Sequence, residues 1–365
     1  RPELLALVAV RCADWAEPVR ARAREQLSAE LDAAAAVRLA PLILRLGGRR
    51  RGGFALGLLR DVLRRAPRER MSPLLASGDR AVRRLGYGLA LERGLLSAVE
   101  LARAAARDDD TVVRARCADA ALAAVTRDDA PQVLDALLGA RNPLARSAGV
   151  TALRRLDQAD RAVDFLTDRA ALVRACARYV LRQHGTDPLP WYRTRCADPA
   201  DPALPPGAAI GLAECGRRAD AALLWPLLDH PAPGVRARAA AGLRALDVTD
   251  VQRMRRLLDD PAPGVVREAT LALLPSADAL PVRWLLRRLD PARPPWERLS
   301  AWRLLGAHGE DVRLRAAVAL LGDPGEPLRA RALPVVRGAL RWGAVRGRSE
   351  PAFAELLARG RALLE

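Results

Sequence analysis

Apolar residues recur along this chain at helical spacing, and the whole pattern returns about every 31 residues. From Pro233 to Leu246, the residues Val235, Ala239, Leu243 and Leu246 fall at i, i+4, i+8 and i+11. That spacing puts them on one stripe of one helix. The segment Thr249 to Leu258 is shorter and carries Val251, Met254, Leu257 and Leu258 on one side. Turns built on Asp and Pro separate such segments, at Asp198-Pro199, Asp260-Pro261, Asp290-Pro291 and Asp323-Pro324. Asp ends one helix or caps the next, and Pro stops the chain from continuing helically.

An arginine early in each longer segment marks the register, at Arg20, Arg51, Arg83, Arg114, Arg146, Arg174, Arg236, Arg267, Arg298 and Arg329. Most steps between them are 31 or 32 residues; one is 28, and one, from Arg174 to Arg236, is 62. A further copy fills the long step, with Pro205-Pro206 where the aliphatic–Arg pair should stand and Gly211-Leu212 in the place of Gly242-Leu243. Pro is tolerated in the first turn of a helix, so this copy keeps its helix and loses its marker. The copy at Arg51 is degenerate in another way, with glycines and arginines over 47–53 replacing the Asp-Pro turn. One helix pair cannot bury its stripes alone, whereas stacked neighbours bury a continuous core. The expected fold is all-α, a right-handed α-solenoid of about eleven antiparallel helix pairs running as one array over 1–365.

The shared frame, Asp-Pro, a gap, Val-Arg and then Ala and Leu at helical spacing, is read directly at Asp260–Leu274 and, less strictly, at Asp229–Leu243. It resembles the HEAT repeat, in the short form of the phycobilisome-lyase-type repeats, over nearly the whole chain. The resemblance implies an inter-repeat ladder of Asp and Arg side chains. Carried over, its members would be Arg114, Arg146, Arg174, Arg236 and Arg267 with Asp168, Asp229 and Asp260. Function is weakly implied, because one fold hosts many functions. Relatives of that kind include scaffolds, nucleic-acid binders, DNA glycosylases and bilin lyases. The glycosylase catalytic positions find no residue-by-residue match here, and no distinctive bilin-site residue stands out.

Composition narrows the picture. The formal charge is +17, and all 60 basic residues are Arg. A chain without Lys that is rich in Ala, Arg, Gly and Pro reflects G+C-biased codons, so arginine content alone is weak evidence for nucleic acid. Its placement says more. Residues 45–84 carry a net +9 and residues 283–348 a net +8, on either side of a nearly neutral middle. The second block also holds four of the seven tryptophans, Trp284, Trp296, Trp302 and Trp342. Arg forks pair with carboxylate or phosphate, and Arg beside Trp can stack on bases or on a protein surface. The candidate partner- or anion-binding residues are Arg49, Arg50, Arg51, Arg64, Arg65, Arg287, Arg288, Trp296, Trp302, Arg341 and Trp342. A solvated helix face with Trp in a terminal core is the alternative.

Catalytic signatures are lacking. No Lys means no phosphate loop of the G-x-x-x-x-G-K-[ST] type, and no Ser lies in G-x-S-x-G. The five cysteines are odd in number and never spaced C-x-x-C. They read as reduced, mostly buried thiols in a cytoplasmic protein. His184, His230 and His308 lie near helix ends, where capping roles outweigh metal or acid–base ones. The runs Asp108–Asp110 and Asp128–Asp129 suit helix starts better than a divalent cation. Trp191 and Tyr192 read as packing groups or as a binding ridge. No stretch reads as a membrane span or leader, and a start at Arg1 fits an excised segment. The expectation is a protein without cofactor or catalysis that holds a protein partner, with nucleic acid as the second candidate and oligomeric state left open.

Overall fold

A computed structural model describes residues 2–342 and 351–363. Among these residues there are 22 α-helical segments, six short 3-10 stretches and no strand. The chain divides into two compact units, Arg1–Phe165 with Ala175–His184, and Leu166–Arg174 with Gly185–Glu365.

In the first unit, Pro2–Arg11 is followed by Glu17–Glu30, Ala33–Gly47 by Gly53–Arg65, Ala98–Arg107 by Thr111–Ala124, and Ala130–Leu138 by Pro143–Arg155. Side-chain caps define the starts. Asp32 accepts from Ala35 N at 2.7 Å, Asn142 from Ala145 N at 2.8 Å, and Ser97 forms a capping box with Glu100. Each such cap contributes about 1 kcal/mol by satisfying an orphan helix N–H. Leu27, Ile43, Leu59 and Leu63 are fully buried between the helices.

The second unit repeats the scheme with shorter leading helices. Leu189–Arg195 precedes Pro206–Cys215, Val251–Arg256 precedes Pro263–Leu273, and Val282–Arg287 precedes Pro295–Ala307. In the clearest copy the leading half shrinks to Ala221–Leu224 and the 3-10 turn Pro226–Asp229, and Pro233–Ala245 follows. Pro226 has no N–H to continue the α-helical ladder, which accounts for the change to 3-10 winding. The apolar stripe of that copy faces inward, with Val235, Ala239 and Leu243 fully buried and Leu246 nearly so.

The proline-rich copy has its own packing solution. Tyr192 is fully buried and its hydroxyl donates to Leu166 O at 2.6 Å, while Trp191 meets it edge-on at 5.3 Å. A Cβ on Gly211 would lie 2.3 Å from the Tyr192 ring, and one on Gly207 would lie 2.0 Å from Thr167 O. Two glycines thus admit the close approach that this copy needs. Trp191 and Tyr192 are packing groups. All five cysteines are unbridged, and burial pushes the Cys117 and Cys196 thiols up to about 12.

Candidate interaction surfaces

The marker arginines have a specific job. Arg236 sits in the first turn of its helix and donates through Nη1 to its own turn, to His230 O at 2.8 Å and Pro231 O at 3.0 Å. Its Nε and Nη2 grip Asp260, the turn acid of the following repeat, at 2.8 and 2.9 Å. Asp260 also accepts from Ala262 N at 2.8 Å. One guanidinium therefore ties two successive turns together, in the bidentate geometry that favours Arg over Lys.

Arg83 repeats this arrangement, with Ser77 O at 2.8 Å on one side and Asp108 at 3.0 Å on the other. Arg298 reaches Leu289 O at 2.9 Å and the Asp323 carboxylate, and both charged groups are buried. Arg174 donates to Asp168 O at 2.6 Å and takes Glu214 as its acid, because the next turn belongs to the proline-rich copy. Arg146 donates to Ala140 O and Arg141 O at 2.7 and 2.8 Å. These helix pairs, tied turn to turn, form a HEAT-like repeat fold.

Several expected members behave differently. Asp229 is exposed and is not the acceptor of Arg236, which reaches forward to Asp260 instead. Arg267 does not pair with Asp260; it is exposed and donates to its neighbour Glu268 at 2.6 Å. Asp168 contributes its backbone carbonyl to Arg174, and its carboxylate accepts from Ala170 N at 2.8 Å. The Arg114 guanidinium makes no hydrogen bond or ion pair with any described residue, and its Nε is buried.

A second set of pairs lies beside the rungs. Arg84 grips Asp110 at 3.0 and 2.7 Å, and Arg193 grips Asp220 at 2.7 and 3.2 Å. The Arg84 guanidinium, aided by the Val113 and Val112 amides, holds the Asp110 carboxyl well below the usual carboxylate range. Arg193 and the Arg217 amide likewise lower the Asp220 carboxyl from its ordinary value. The acidic run at 108–110 is thus occupied by Arg83 and Arg84. Neither this run nor any other described residues form a cluster fit for a metal ion.

Of the first arginine block, Arg64, Arg68, Arg83 and Arg84 pair with acids, chiefly ones that lie beyond the block in sequence. The turn at 48–52 is closed by Gly52 N donating to Arg49 O at 2.9 Å. Gly52 is required there, since a Cβ would fall 1.8 Å from Leu46 O. That turn leaves Arg49 and Arg50 exposed, while Arg51 donates to Asp14 O and Trp15 O at 3.1 and 3.0 Å. Arg45, Arg49, Arg50, Arg60, Arg65, Arg70 and Arg80 are all exposed, with no carboxylate among the described residues in ion-pair range.

The second block is different. Arg288 is 2% exposed and meets Asp259 and Leu258 O at 2.6 Å and Glu297 at 3.3 Å. Arg293 joins the same network through Glu297 at 2.8 Å. Trp302 is buried, so neither it nor Arg288 faces a partner; both serve the interior. Trp296 is half-buried with its Nε1 enclosed, and Trp284 is covered by Arg255 at 4.3 Å and Arg288 at 4.7 Å. Arg287 and Arg341 are exposed, and the Trp342 side chain lies outside the described residues.

His230 is buried, its Nδ1 accepting from Ala232 N at 3.0 Å, so its Nε2–H donates to Asp201 O at 2.9 Å. It is a turn-forming group.

No protein-family model matches the chain, and no curated protein matches it in sequence. Among solved structures it is similar to an engineered protein, at 16% identity over 99% of this chain and 98% of that one, with a TM-score of 0.29. It is also similar to the karyopherin Kap121p bound to the extreme C-terminus of the protein phosphatase Cdc14p, at 13% identity and a TM-score of 0.37. All of this chain aligns there and spans 50% of the karyopherin chain. A third likeness is to a microtubule-polymerase structure with TOG domain arrays, at 12% identity over 90% of this chain and 99% of that one, with a TM-score of 0.29. No helix among the described residues is long and apolar enough to cross a membrane.

Proposed function

We propose that the chain is a non-catalytic scaffold, one continuous array of short HEAT-like repeats, that holds an acidic protein partner on its first arginine block. The observation that carries this reading is the set of exposed arginines in that block without carboxylate partners of their own, Arg49, Arg50 and Arg65 among them. Guanidinium forks left in water at the surface are ready to take carboxylates bidentately, and their desolvation on docking is compensated by the partner's charge. A single-stranded nucleic acid would also want aromatic platforms for its bases. The tryptophans of the second block supply few, since Trp302 is buried and Trp284 is covered by two arginines.

The test is affinity capture of the tagged chain from native cell extract at graded salt, with and without nuclease. Wild type is compared with a variant carrying Arg49→Glu, Arg50→Glu and Arg65→Glu. The reading expects one nuclease-insensitive protein, lost from the variant and rebinding when purified. Recovery that disappears with nuclease, or falls steeply with salt in a nucleic-acid-dependent way, would establish phosphate-backbone binding instead.

A further inference from the structure

In three rungs one guanidinium edge, Nε with Nη2, faces a carboxylate of the next repeat: Arg83 has Asp108, Arg174 has Glu214 and Arg236 has Asp260. Arg298 reaches Asp323 through Nη2 alone, its Nε donating to Leu289 O. Arg114 occupies the same place in its own helix, Thr111–Ala124. Its turn acid should come from the residue six before Arg146, as Asp108 stands six before Arg114 and Asp323 six before Arg329. That residue is Ala140. Arg114 is half-buried, its Nε is enclosed without a hydrogen-bond partner, and no described residue pairs with it.

A cavity of about 830 Å³ opens at this rung, lined by Arg114, Ala140, Arg103, Arg107, Arg141 and Asp135 among others. Its other carboxylates, Asp108 and Asp109, are already engaged by Arg83. Neither Arg103 nor Arg107 has a carboxylate in ion-pair range among the described residues. Arginine thus outnumbers uncommitted acid in the cavity, and the guanidinium edge that holds a carboxylate at Arg83, Arg174 and Arg236 holds none at Arg114.

We infer that this cavity is a binding site for a carboxylate brought from outside the chain, an acidic side chain of a docking peptide that completes the rung at Arg114. The ligand class follows from the rungs at Arg83, Arg174 and Arg236, where the same edge of the same residue takes a planar carboxylate through two parallel bonds. The cavity volume exceeds what a lone carboxylate fills and suits a short peptide segment, with Arg103 and Arg107 able to meet further acids. The inference rests on the protein-partner reading and names a second contact for it, apart from the block at 45–84.

The experiment measures fluorescence anisotropy of a dye-labelled polyglutamate peptide against the whole chain. Two variants accompany wild type: Arg114→Gln removes the guanidinium, and Ala140→Asp supplies the rung acid from within. Both are expected to weaken peptide binding about tenfold, on the order of one charge-assisted bidentate contact. Ala140→Asp should also raise the melting temperature, which shows that it folds and that the rung has closed. Sodium acetate should compete with the peptide in wild type and not in Ala140→Asp. Equal peptide binding by wild type and Ala140→Asp would overturn the proposal, and so would binding of inorganic phosphate without binding of polyglutamate. Because Arg49, Arg50 and Arg65 are untouched in these variants, either result is independent of the capture experiment.

Discussion

The two arginine blocks are nearly equal in net charge and unequal in fate. In 283–341, the arginines near the core are drawn inward: Arg288 is buried against Asp259, Glu297 and the Trp284 ring, and Arg298 against Asp323. In 45–84, Arg64, Arg68, Arg83 and Arg84 pair with acids, while Arg49 and Arg50 of the Gly52 turn stay in water. What separates the arginines of either block is whether an acid lies about one repeat away, before or after: Arg83 and Arg84 have Asp108 and Asp110, Arg288 has Asp259 and Arg298 has Asp323, while Arg49 and Arg50 have none in ion-pair range. Net charge summed along a segment does not record this, because the compensating acids lie about 25 to 30 residues away in sequence.

The largest test of that contrast is at the buried network. Arg288→Met leaves Glu297 enclosed beside fewer cations, and a loss of about 3–5 kcal/mol is expected in urea unfolding. A similar loss of about 3–5 kcal/mol is expected for Trp302→Ala, which opens a core cavity. In the first block, Arg50→Met should stay within about 0.5 kcal/mol of wild type by the same assay. A loss at Arg50 comparable to that at Arg288 would erase the distinction between the blocks.

The next effect is on pH dependence. The Asp110 carboxyl in the folded chain lies below its unfolded value of about 3.9. Its contribution to stability is therefore fully present above about pH 5 and is lost as pH falls toward the folded value. Arg84→Gln raises the folded value toward the unfolded one. The variant should be less stable at neutral pH and should decline less steeply than wild type between about pH 4 and pH 2, as read from melting temperatures. A parallel decline in both proteins would show that Arg84 does not hold that carboxyl down.

Much of the architecture was legible in the sequence, since the spacing of Val235, Ala239, Leu243 and Leu246 is a local pattern that the helix itself displays. The direction of the rungs was harder to read. Asp229 stands closer to Arg236 in sequence than Asp260 does, yet the helix start points the guanidinium toward the following repeat. Arg288 and Trp302 looked like surface groups because burial depends on which residues a neighbouring helix places against them. The open rung at Arg114 did have a sequence signal: Ala140 stands where Asp14, Asp108, Asp168 and Asp323 stand in other copies. His230 at the same place is the complementary case, because the preceding copy has Pro206 in place of a marker arginine.

The central claim is that arginines with an acid one repeat away hold the stack, while those without one are available to a partner. It is tested most directly by measuring partner capture and melting temperature together in two variants, Arg288→Gln and the Arg49→Glu, Arg50→Glu, Arg65→Glu triple. The account predicts that the triple variant melts like wild type and loses the captured partner, whereas Arg288→Gln melts earlier and still captures it at temperatures where it is folded. A triple variant that captures the partner undiminished at low salt would contradict it.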